Sequence, residues 1–430
     1  MSSPEKTLFQ RVHPLLSIGT PSDQYSRPLL QGVTVVELGH YVSAPLCGKL
    51  LADLGAEVIK IEDPAHGDVA RRLPPFYHDA PSHDSSLLFQ HLNANKKGVT
   101  LDINSPTGRR ILSRLLCQAQ VLIENLPPKQ MPALGLGYGE LSAANPGLIV
   151  TSITPFGHTG PYQDLHGADL VVFAMSGAAY SNPLVLDVPG RPPLQLPGSP
   201  TSILAGHFAS AATLTALLRH QATGQGAYID ISELDVQVSI LHGILNRYEA
   251  NNSVQPRSVG LFESTSCPYD ILPCKDGYVG VFCGREHQWR RLLQVMGDPE
   301  WGKVELFQES RSRRRHWPDL LELMRPWFMG HTKEEIYRVC QENDIPAAAV
   351  YTMGEVLQDR QFRSRDAFPE VHHPIFGAFP CLRPPYNLQG GVWELQRFAP
   401  GKGEHNREIF CHRLGYSRQE LAQLTATGVT

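Results

Sequence analysis

Apolar and polar positions in the first part of the chain follow two different periods. Residues 33–38 form a short β-branched run, typical of a buried parallel strand. Residues 46–54 then carry apolar side chains at helical spacing, and Gly55 follows as a helix-ending residue. Residues 58–61 form a second apolar run. Strand, helix, glycine and strand in this order predict a right-handed βαβ unit.

The same alternation continues further along the chain. Further strands are predicted at 98–102, 121–124, 148–153 and 227–231. Ser105 and Pro106 have the residue types of a helix cap and first turn, and predict a helix to Leu116. This pattern favours a Rossmann-like α/β domain with a parallel sheet, whose ligands bind at the carboxyl ends of the strands. His40 and Asn125 lie at such ends.

A smaller α+β domain is predicted in the second half. Lys275-Asp276-Gly277 separates two apolar runs, which is a strong hairpin signal. Before it, residues 234–250 predict one long helix. The predicted organisation is an arm at 1–28, a large Rossmann-like domain at 29–230, a linking helix and loop at 231–262, the small domain at 263–365 and a return to the large domain at 366–430.

Composition then narrows the possible partners. A net charge of −4 gives no basic surface for nucleic acid, and no apolar run approaches the ~20 residues that span a membrane. The eight cysteines show no Cys-x-x-Cys pair and no zinc spacing, which predicts no metal site and reduced thiols in the cytoplasm. The turn after the first strand, residues 37–45, holds one glycine, so a G-x-G-x-x-G dinucleotide site is not predicted.

Asp169 is the residue with the clearest chemical possibilities. It follows a turn that begins at Gly160-Pro161 and precedes the apolar run 170–175. A carboxylate that opens a helix is usually a cap for backbone N–H groups. The alternative is a nucleophile that attacks an activated carbonyl and forms a covalent intermediate. Position alone leaves both possibilities open.

The order of motifs supplies a further argument. The chain contains GVTVVELGHYVSAPLCGKLLADLGAEVIKIEDP, HGDVARR, NANKKGVTLDI, VLIENLPP, LGLGYGEL, NPGLIVTSITPFGHTGPY, GADLVVFAMSG, ATGQGAYIDISELDV, CKDGYVGV, IPAAAV and GEHNREIFCHRLG. Each motif alone is weak, but together and in order they resemble the family III CoA-transferases, also called the CaiB–BaiF family. That family includes formyl-CoA and carnitine CoA-transferases and, as a relative, alpha-methylacyl-CoA racemase.

The resemblance implies a two-domain α/β fold and a homodimer whose chains interlock like links. It also implies that Asp169 is the active aspartate, which exchanges carboxylates through an aspartyl–acyl anhydride and an aspartyl–CoA thioester. Coenzyme A and acyl-CoA are then substrates, a carboxylic acid is the acceptor, and no permanently bound cofactor is expected. Such chemistry needs oriented N–H groups at the developing oxyanion, and the turns at Gly157 and Gly160 are candidates.

The resemblance also implies a set of CoA contacts. Those matched by position are His40, Val42, Ser43, Leu101, Asn104, Asn125 and Leu126. Arg71 and Lys96, or its neighbour Lys97, are candidates for the CoA phosphates, with a solvated basic face as the alternative interpretation.

Two other functions remain open at this stage. The racemases resemble this chain but use a His before the equivalent Asp and a second Asp about thirty residues later as a pair of bases. Here Ala168 precedes Asp169, and the second position falls at Thr201 or Ser202. A CoA-binding homologue without catalysis is the other alternative. The acceptor can be a mono- or a dicarboxylate.

Overall fold

The computed structural model describes residues 28–430, apart from 83, 184, 187–189, 255–257, 260–265 and 389–392. The predicted arm therefore lies almost wholly outside the described residues. By internal contacts the chain divides into two compact units. The large unit holds residues up to Val172, Pro197–Gln237 and Glu370–Thr430, and the small unit holds Phe173–Leu196 and Val238–Pro369.

The strands and helices have the following bounds. The strands are β1 Thr34–Leu38, β2 Glu57–Glu62, β3 Lys96–Thr100, β4 Val121–Glu124, β5 Ile149–Thr154, β6 Val185–Leu186, β7 Ala227–Ser232, β8 Ser258–Val259, β9 Tyr269–Cys274, β10 Gly277–Phe282, β11 Ala347–Ala349, β12 Glu370–His373 and β13 Gly377–Pro380. The helices are α1 Ser43–Asp53, α2 Leu87–Asn93, α3 Pro106–Leu116, α4 Gln130–Ala133, α5 Tyr138–Ala144, α6 Asp169–Met175, α7 Pro200–Thr223, α8 Glu233–Ser239, α9 His242–Asn251, α10 Glu286–Val295, α11 Ser310–Arg315, α12 Trp317–Gly330, α13 Lys333–Glu342, α14 Met353–Gln358, α15 Arg360–Ser364 and α16 Arg418–Ala426. Short 3₁₀ turns include Val69–Arg72, and Arg407–Arg413 is a π-helix.

The large unit is built on a six-stranded parallel sheet, as the sequence predicts. The strand order is β3-β2-β1-β4-β5-β7, so the chain reverses its direction of addition between β1 and β4. In β1, Val35 and Val36 point to opposite faces and enter two separate apolar clusters. Burial on both faces explains the four consecutive β-branched residues at positions 33–36.

Two helices of the large unit illustrate local sequence control. In α3 the Ser105 hydroxyl accepts a bond from the Gly108 amide at 3.0 Å and Pro106 is the first helical residue, as predicted. The helix after β1 was expected to start at Leu46 but begins three residues earlier, at Ser43. Pro45 does not prevent this, because a proline in the first turn costs no hydrogen bond.

The helix α7 is unusually long and apolar. By length and composition it resembles a membrane span, but half of its most apolar window is buried inside the protein. It contacts α1, β5 and β7. Such burial is typical of a core helix, and a membrane is not needed to explain it.

The small unit contains the predicted hairpin. β9 and β10 pair antiparallel with Cys274 opposite Gly277, and β11 adds a third strand. Its apolar cluster includes Trp289, Leu292, Leu320 and Phe328. The single long helix predicted over 234–250 is wrong. α8 ends at Ser239, where Leu241 donates to the carbonyl of Val238 in a tighter i→i−3 bond, and α9 starts at His242.

The last segment of the chain forms hydrogen bonds at the β3 edge of the large unit's sheet. The Thr100 amide donates to the side chain of Asn406 at 2.9 Å, and the Asp102 amide donates to the carbonyl of Val429 at 2.8 Å. Residues from 370 onward therefore protect the β3 edge and the loop that follows it.

Candidate active site

A buried charge network fixes the loop between β1 and α1. Lys60 lies 3.0 Å from Glu37, 2.7 Å from Asp68 and 2.7 Å from the carbonyl oxygen of Gly39. Asp68 in turn accepts a bond from the Tyr41 amide at 3.0 Å. Burial alone would lower the pKa of Lys60, but its carboxylate neighbours raise it above the usual value. The loop is thus held by ions that cannot easily move apart.

Lys96 belongs to the same network. Its ammonium group is fully buried, 2.7 Å from Glu37, and donates to Asn93 at 2.9 Å and to the carbonyl of Pro45 at 2.7 Å. Burial lowers its pKa to about 8. With no accessible surface, Lys96 fits a structural role, and the geometry argues against its assignment to a CoA phosphate.

Arg71 is also an internal cation. Its guanidinium donates two bonds to Glu62, each 2.8 Å, and further bonds to Asp84 and to the carbonyl of Pro400. Its charged carbon lies 3.7 Å from the ring centre of Phe89, and the side chain is fully buried. The geometry argues against a phosphate contact by Arg71, because the side chain is buried and four of its five N–H groups bond within the protein.

A cavity lies at the carboxyl ends of β1, β2 and β4. Its volume is about 250 Å³. Four of the predicted CoA contacts line it: His40, Leu101, Asn104 and Leu126. Arg72 and Gln130 line it as well. The volume is just below the usual range for a whole ligand of drug size, so it suits one end of a longer molecule.

Arg72 is the cationic residue that the sequence interpretation missed. The 3₁₀ turn Val69–Arg72 buries Arg71 and leaves Arg72 exposed at the cavity, where it donates to the carbonyl of His66. Two adjacent arginines in the HGDVARR motif carry no periodicity to tell them apart. Only the direction of this short turn decides which one reaches solvent.

Asn125 links the ends of β1 and β4. Its side-chain oxygen accepts from the His40 amide at 3.0 Å, and its amide nitrogen donates to the His40 carbonyl at 2.8 Å and the Ser43 hydroxyl at 3.3 Å. Val42 is buried against Leu46. Asn125, Ser43 and Val42 therefore shape the loop, and they are not among the residues that line the cavity.

Asp169 is the first residue of α6, and its carboxylate is bound to a different helix. Its Oδ1 accepts bonds from the backbone amides of Thr201 at 3.0 Å and Ser202 at 3.2 Å, and from the Thr201 hydroxyl. Thr201 and Ser202 lie in the first turn of α7. The partial positive charge at this helix end stabilises the carboxylate. These bonds go beyond a cap for its own helix.

A hydrogen bond between two residues with strained backbone conformations fixes the start of α7. Ser199 precedes α7 with a left-handed φ of 57°, and Tyr41 has a left-handed φ of 65°. Their hydroxyl groups are hydrogen-bonded to each other. A left-handed backbone conformation costs free energy in a non-glycine residue and persists only where the surrounding structure imposes it. Such residues are common at functional sites. The β1–α1 loop and the α7 start are thus locked together.

Glu233 is a buried carboxyl group near Asp169 that sequence reasoning did not identify. It accepts a bond from the Ser202 hydroxyl at 3.5 Å and is 6% exposed. Burial raises its pKa, bonds from Ser43 and Ser202 oppose this, and the charge of Asp169 adds to the rise. Glu233 is therefore harder to ionise than a solvated carboxyl group, and it lies next to the carboxylate of Asp169.

Glu124 is a further perturbed acid in the large unit. It lies at the end of β4 and accepts a bond from the Leu126 amide at 2.8 Å. Burial raises its pKa to about 7. It lines a second, smaller cavity with His158 and Tyr228. No group of three His, Cys, Asp or Glu side chains suited to a metal ion occurs in the described part of the chain.

The family model for CoA-transferase family III matches residues 30–406. The chain belongs to this family. It is 32% identical over 409 residues to the succinyl-CoA–D-citramalate CoA-transferase of Chloroflexus aurantiacus, covering 95% of this chain and 99% of the relative. It is 29% identical to the succinate–glutarate CoA-transferase of Agrobacterium fabrum, with 90% and 96% covered. A formyl-CoA:oxalate CoA-transferase of Rhodopseudomonas palustris is 30% identical, with 93% and 96% covered.

Solved structures agree with this family. A CaiB/BaiF family protein from Brucella suis superimposes with a TM-score of 0.79 at 29% identity, covering 91% of this chain and 99% of that one. The protein Rv3272 from M. tuberculosis gives a TM-score of 0.76 at 27% identity, with 89% and 99% covered. The predicted family is confirmed, the six-stranded parallel sheet is the CaiB/BaiF fold, and the protein is a CoA-transferase.

The racemase alternative is not favoured. Ala168 precedes Asp169, so the histidine base is replaced by a methyl group. Thr201 and Ser202, the candidates for the second base, instead donate hydrogen bonds to Asp169. A two-base mechanism needs a proton acceptor at each of the two positions. Thr201 and Ser202 are hydrogen-bond donors to Asp169, so they do not supply the second base.

Proposed function

We propose that the enzyme moves CoA from an acyl-CoA thioester to a free carboxylic acid, with Asp169 as the nucleophile. The observation that carries this proposal is the carboxylate of Asp169 at the start of α7, where two amides and a hydroxyl group fix one oxygen. Its half-buried side chain combines a defined orientation with access from outside. A positioned carboxylate of this kind can serve as a covalent catalyst.

The proposed reaction exchanges carboxylates in four steps. Oδ2 of Asp169 attacks the donor thioester carbon, and CoA thiolate leaves, which gives an aspartyl–acyl anhydride. The thiolate attacks the Asp169 carbonyl carbon and expels the donor acid, which gives an aspartyl–CoA thioester. The acceptor carboxylate attacks that carbon and expels the thiolate. The thiolate then attacks the new acyl carbon and releases the Asp169 carboxylate.

The overall free-energy change of these four steps is close to zero. One thioester replaces another, so no external energy source is required. The anhydrides are sensitive to water, and the site must exclude it. Exposed apolar side chains lie close to Asp169 along the chain, including Tyr162, Leu165 and Leu170. We propose that a second chain, interlocked with the first in a homodimer, covers this surface. Light scattering that shows a monomer at micromolar concentration would contradict the dimer.

The cavity at the strand ends supports a place for one end of CoA. Arg72 supplies the exposed cation, and His40, Leu101, Asn104 and Leu126 supply the walls. The relatives' names make succinyl-CoA the first donor to test. Both mono- and dicarboxylic acids belong in the acceptor panel. Eight free thiols support a cytoplasmic location.

The proposal is tested by intact-protein mass spectrometry after incubation with a panel of acyl-CoAs, then hydroxylamine treatment and peptide mapping. An acyl or CoA adduct on Asp169 is expected. Asp169→Ala should abolish both adduct and turnover, as should Asp169→Asn unless its amide is hydrolysed. Asp164→Asn is the matched control, because Asp164 is exposed in the same loop and forms a surface ion pair with Lys129 at 2.6 Å. Full turnover by Asp169→Ala would overturn the assignment.

A further inference from the structure

The donors around Asp169 Oδ1 have a second possible use during catalysis. In the resting enzyme they bind a carboxylate that carries its charge over two oxygens. In the proposed reaction Oδ2 forms the new bond, so Oδ1 becomes the carbonyl oxygen of the anhydride and of the thioester. It stays on the enzyme through the whole cycle, and the donors stay with it.

Charge returns to Oδ1 in two of the four steps. When the thiolate adds to the Asp169 carbon of the anhydride, the carbonyl π electrons move onto Oδ1. The adduct then collapses. The bond between the Asp169 carbon and the oxygen of the donor acid breaks, and the new bond from that carbon to the CoA sulfur remains. When the acceptor carboxylate adds to the thioester, electrons again move onto Oδ1, and the C–S bond breaks. Each tetrahedral adduct therefore carries an oxyanion on this one oxygen.

We propose that Thr201 is a catalytic residue, and that its hydroxyl group and amide, with the amide of Ser202, form the oxyanion hole for both attacks on the Asp169 carbon. This inference rests on the proposed function. The amide distances of 3.0 and 3.2 Å lie close to the range that stabilises a developing charge. Thr201 is fully buried, so its donors do not have to be reoriented out of water.

The surroundings of these donors suit this role. Pro200 starts α7 with its φ already fixed, and Ser199 is tied to Tyr41. On the other side, Ser202 donates to Glu233. This bond joins the first turn of α7 to the buried side chain of Glu233 at the start of α8. The α7 start is thus rigid and positively polarised.

The test compares Thr201→Val, which removes the hydroxyl at constant size, with Thr201→Ser, which keeps it. Removal of one oxyanion donor typically lowers kcat by about 10²–10³-fold, and we expect about 10²-fold for Thr201→Val with recovery in Thr201→Ser. The decisive readout is the adduct. With donor alone, quenched wild type should carry CoA on Asp169, whereas Thr201→Val should carry the acyl group, because attack on the Asp169 carbon is the slowed step.

The outcomes separate the two proposals. If wild type forms no adduct on Asp169, the nucleophile assignment fails. If wild type loads CoA and Thr201→Val loads CoA equally fast with unchanged kcat, the oxyanion hole is refuted and the nucleophile stands. A lower kcat with unchanged adduct identity assigns Thr201 a structural role and also refutes it. Should Thr201→Val not fold, Thr201→Ala provides the same comparison against Thr201→Ser.

Discussion

Arg71 and Arg72 are adjacent in sequence, and the structure predicts opposite consequences for their loss. Arg71→Ala removes a buried cation that donates two bonds of 2.8 Å to Glu62 and one of 2.9 Å to Asp84. Glu62 then keeps the bond from the Asp68 amide and the more distant charge of Lys60, but it has lost its directly bonded cation. Removal of one partner from a buried pair costs about 3–5 kcal/mol. That is a large part of a typical unfolding free energy of about 5–15 kcal/mol.

Arg72→Ala should have the reverse profile. Its side chain is exposed, so the unfolding free energy should change by no more than about 0.5 kcal/mol. If Arg72 binds a CoA phosphate, loss of a charged hydrogen bond costs about 1.5–3 kcal/mol. This corresponds to a dissociation constant for CoA that is about tenfold to a hundredfold higher. Arg110→Ala, which removes an exposed arginine outside the cavity, should change neither property.

The measurements are urea unfolding and calorimetric titration with CoA. Circular dichroism is the better unfolding signal, because four of the five tryptophans lie in the small unit and only Trp393 shares the large unit with Arg71. Protein concentration must be held constant, since association shifts apparent stability. The reasoning is refuted if Arg71→Ala weakens CoA binding without loss of stability, or if Arg72→Ala unfolds the protein and leaves affinity unchanged.

Two further changes test the large unit. Burial raises the pKa of Glu124 to about 7 in the folded protein, whereas the unfolded chain releases this proton near the ordinary pKa of 4.5, so wild-type stability should fall as pH rises between these values. In Glu124→Gln that fall should be smaller by about 1–3 kcal/mol in urea unfolding, and an identical pH slope would contradict it. Gly206→Ala places a Cβ 2.8 Å from the Ser43 carbonyl oxygen and 3.0 Å from the Leu46 Cβ, and should cost about 1–3 kcal/mol and lower kcat. Gly139→Ala, with no atom within 4 Å, should leave both unchanged or raise stability slightly, and equal effects would contradict the packing argument.

Local patterns predicted the fold well where local physics decides it. β1, the capped helix α3 and the β9–β10 hairpin follow from a β-branched run, a Ser-Pro pair and an Asp-Gly turn. The break between α8 and α9 was not predictable in this way, because apolar spacing continues across it. Boundaries of this kind depend on the tertiary contacts of each half.

The candidate site was only partly predictable. Asp169 stood out through its motif, and four of the predicted CoA contacts line one cavity. Its hydrogen-bond partner Thr201 lies 32 residues further on, and no local pattern joins the two. Glu233 was missed because a carboxylate at a strand end resembles any solvated acid until burial is known. Arg71 was a candidate for a CoA phosphate because nothing in the sequence distinguishes a buried arginine from its exposed neighbour.

The discontinuity of the large unit has a consequence for how the protein is made. Residues 238–369 of the small unit must emerge from the ribosome before residues 370–430 can reach β3. Synthesis from residue 238 to 430 takes about 10–40 s at about 5–20 residues per second. During that interval the β3 edge lacks Asn406, and Arg71 lacks the carbonyl of Pro400. During synthesis the β3 edge of the sheet therefore has unpaired hydrogen-bonding groups. Protection of this edge by a chaperone is most useful in that interval.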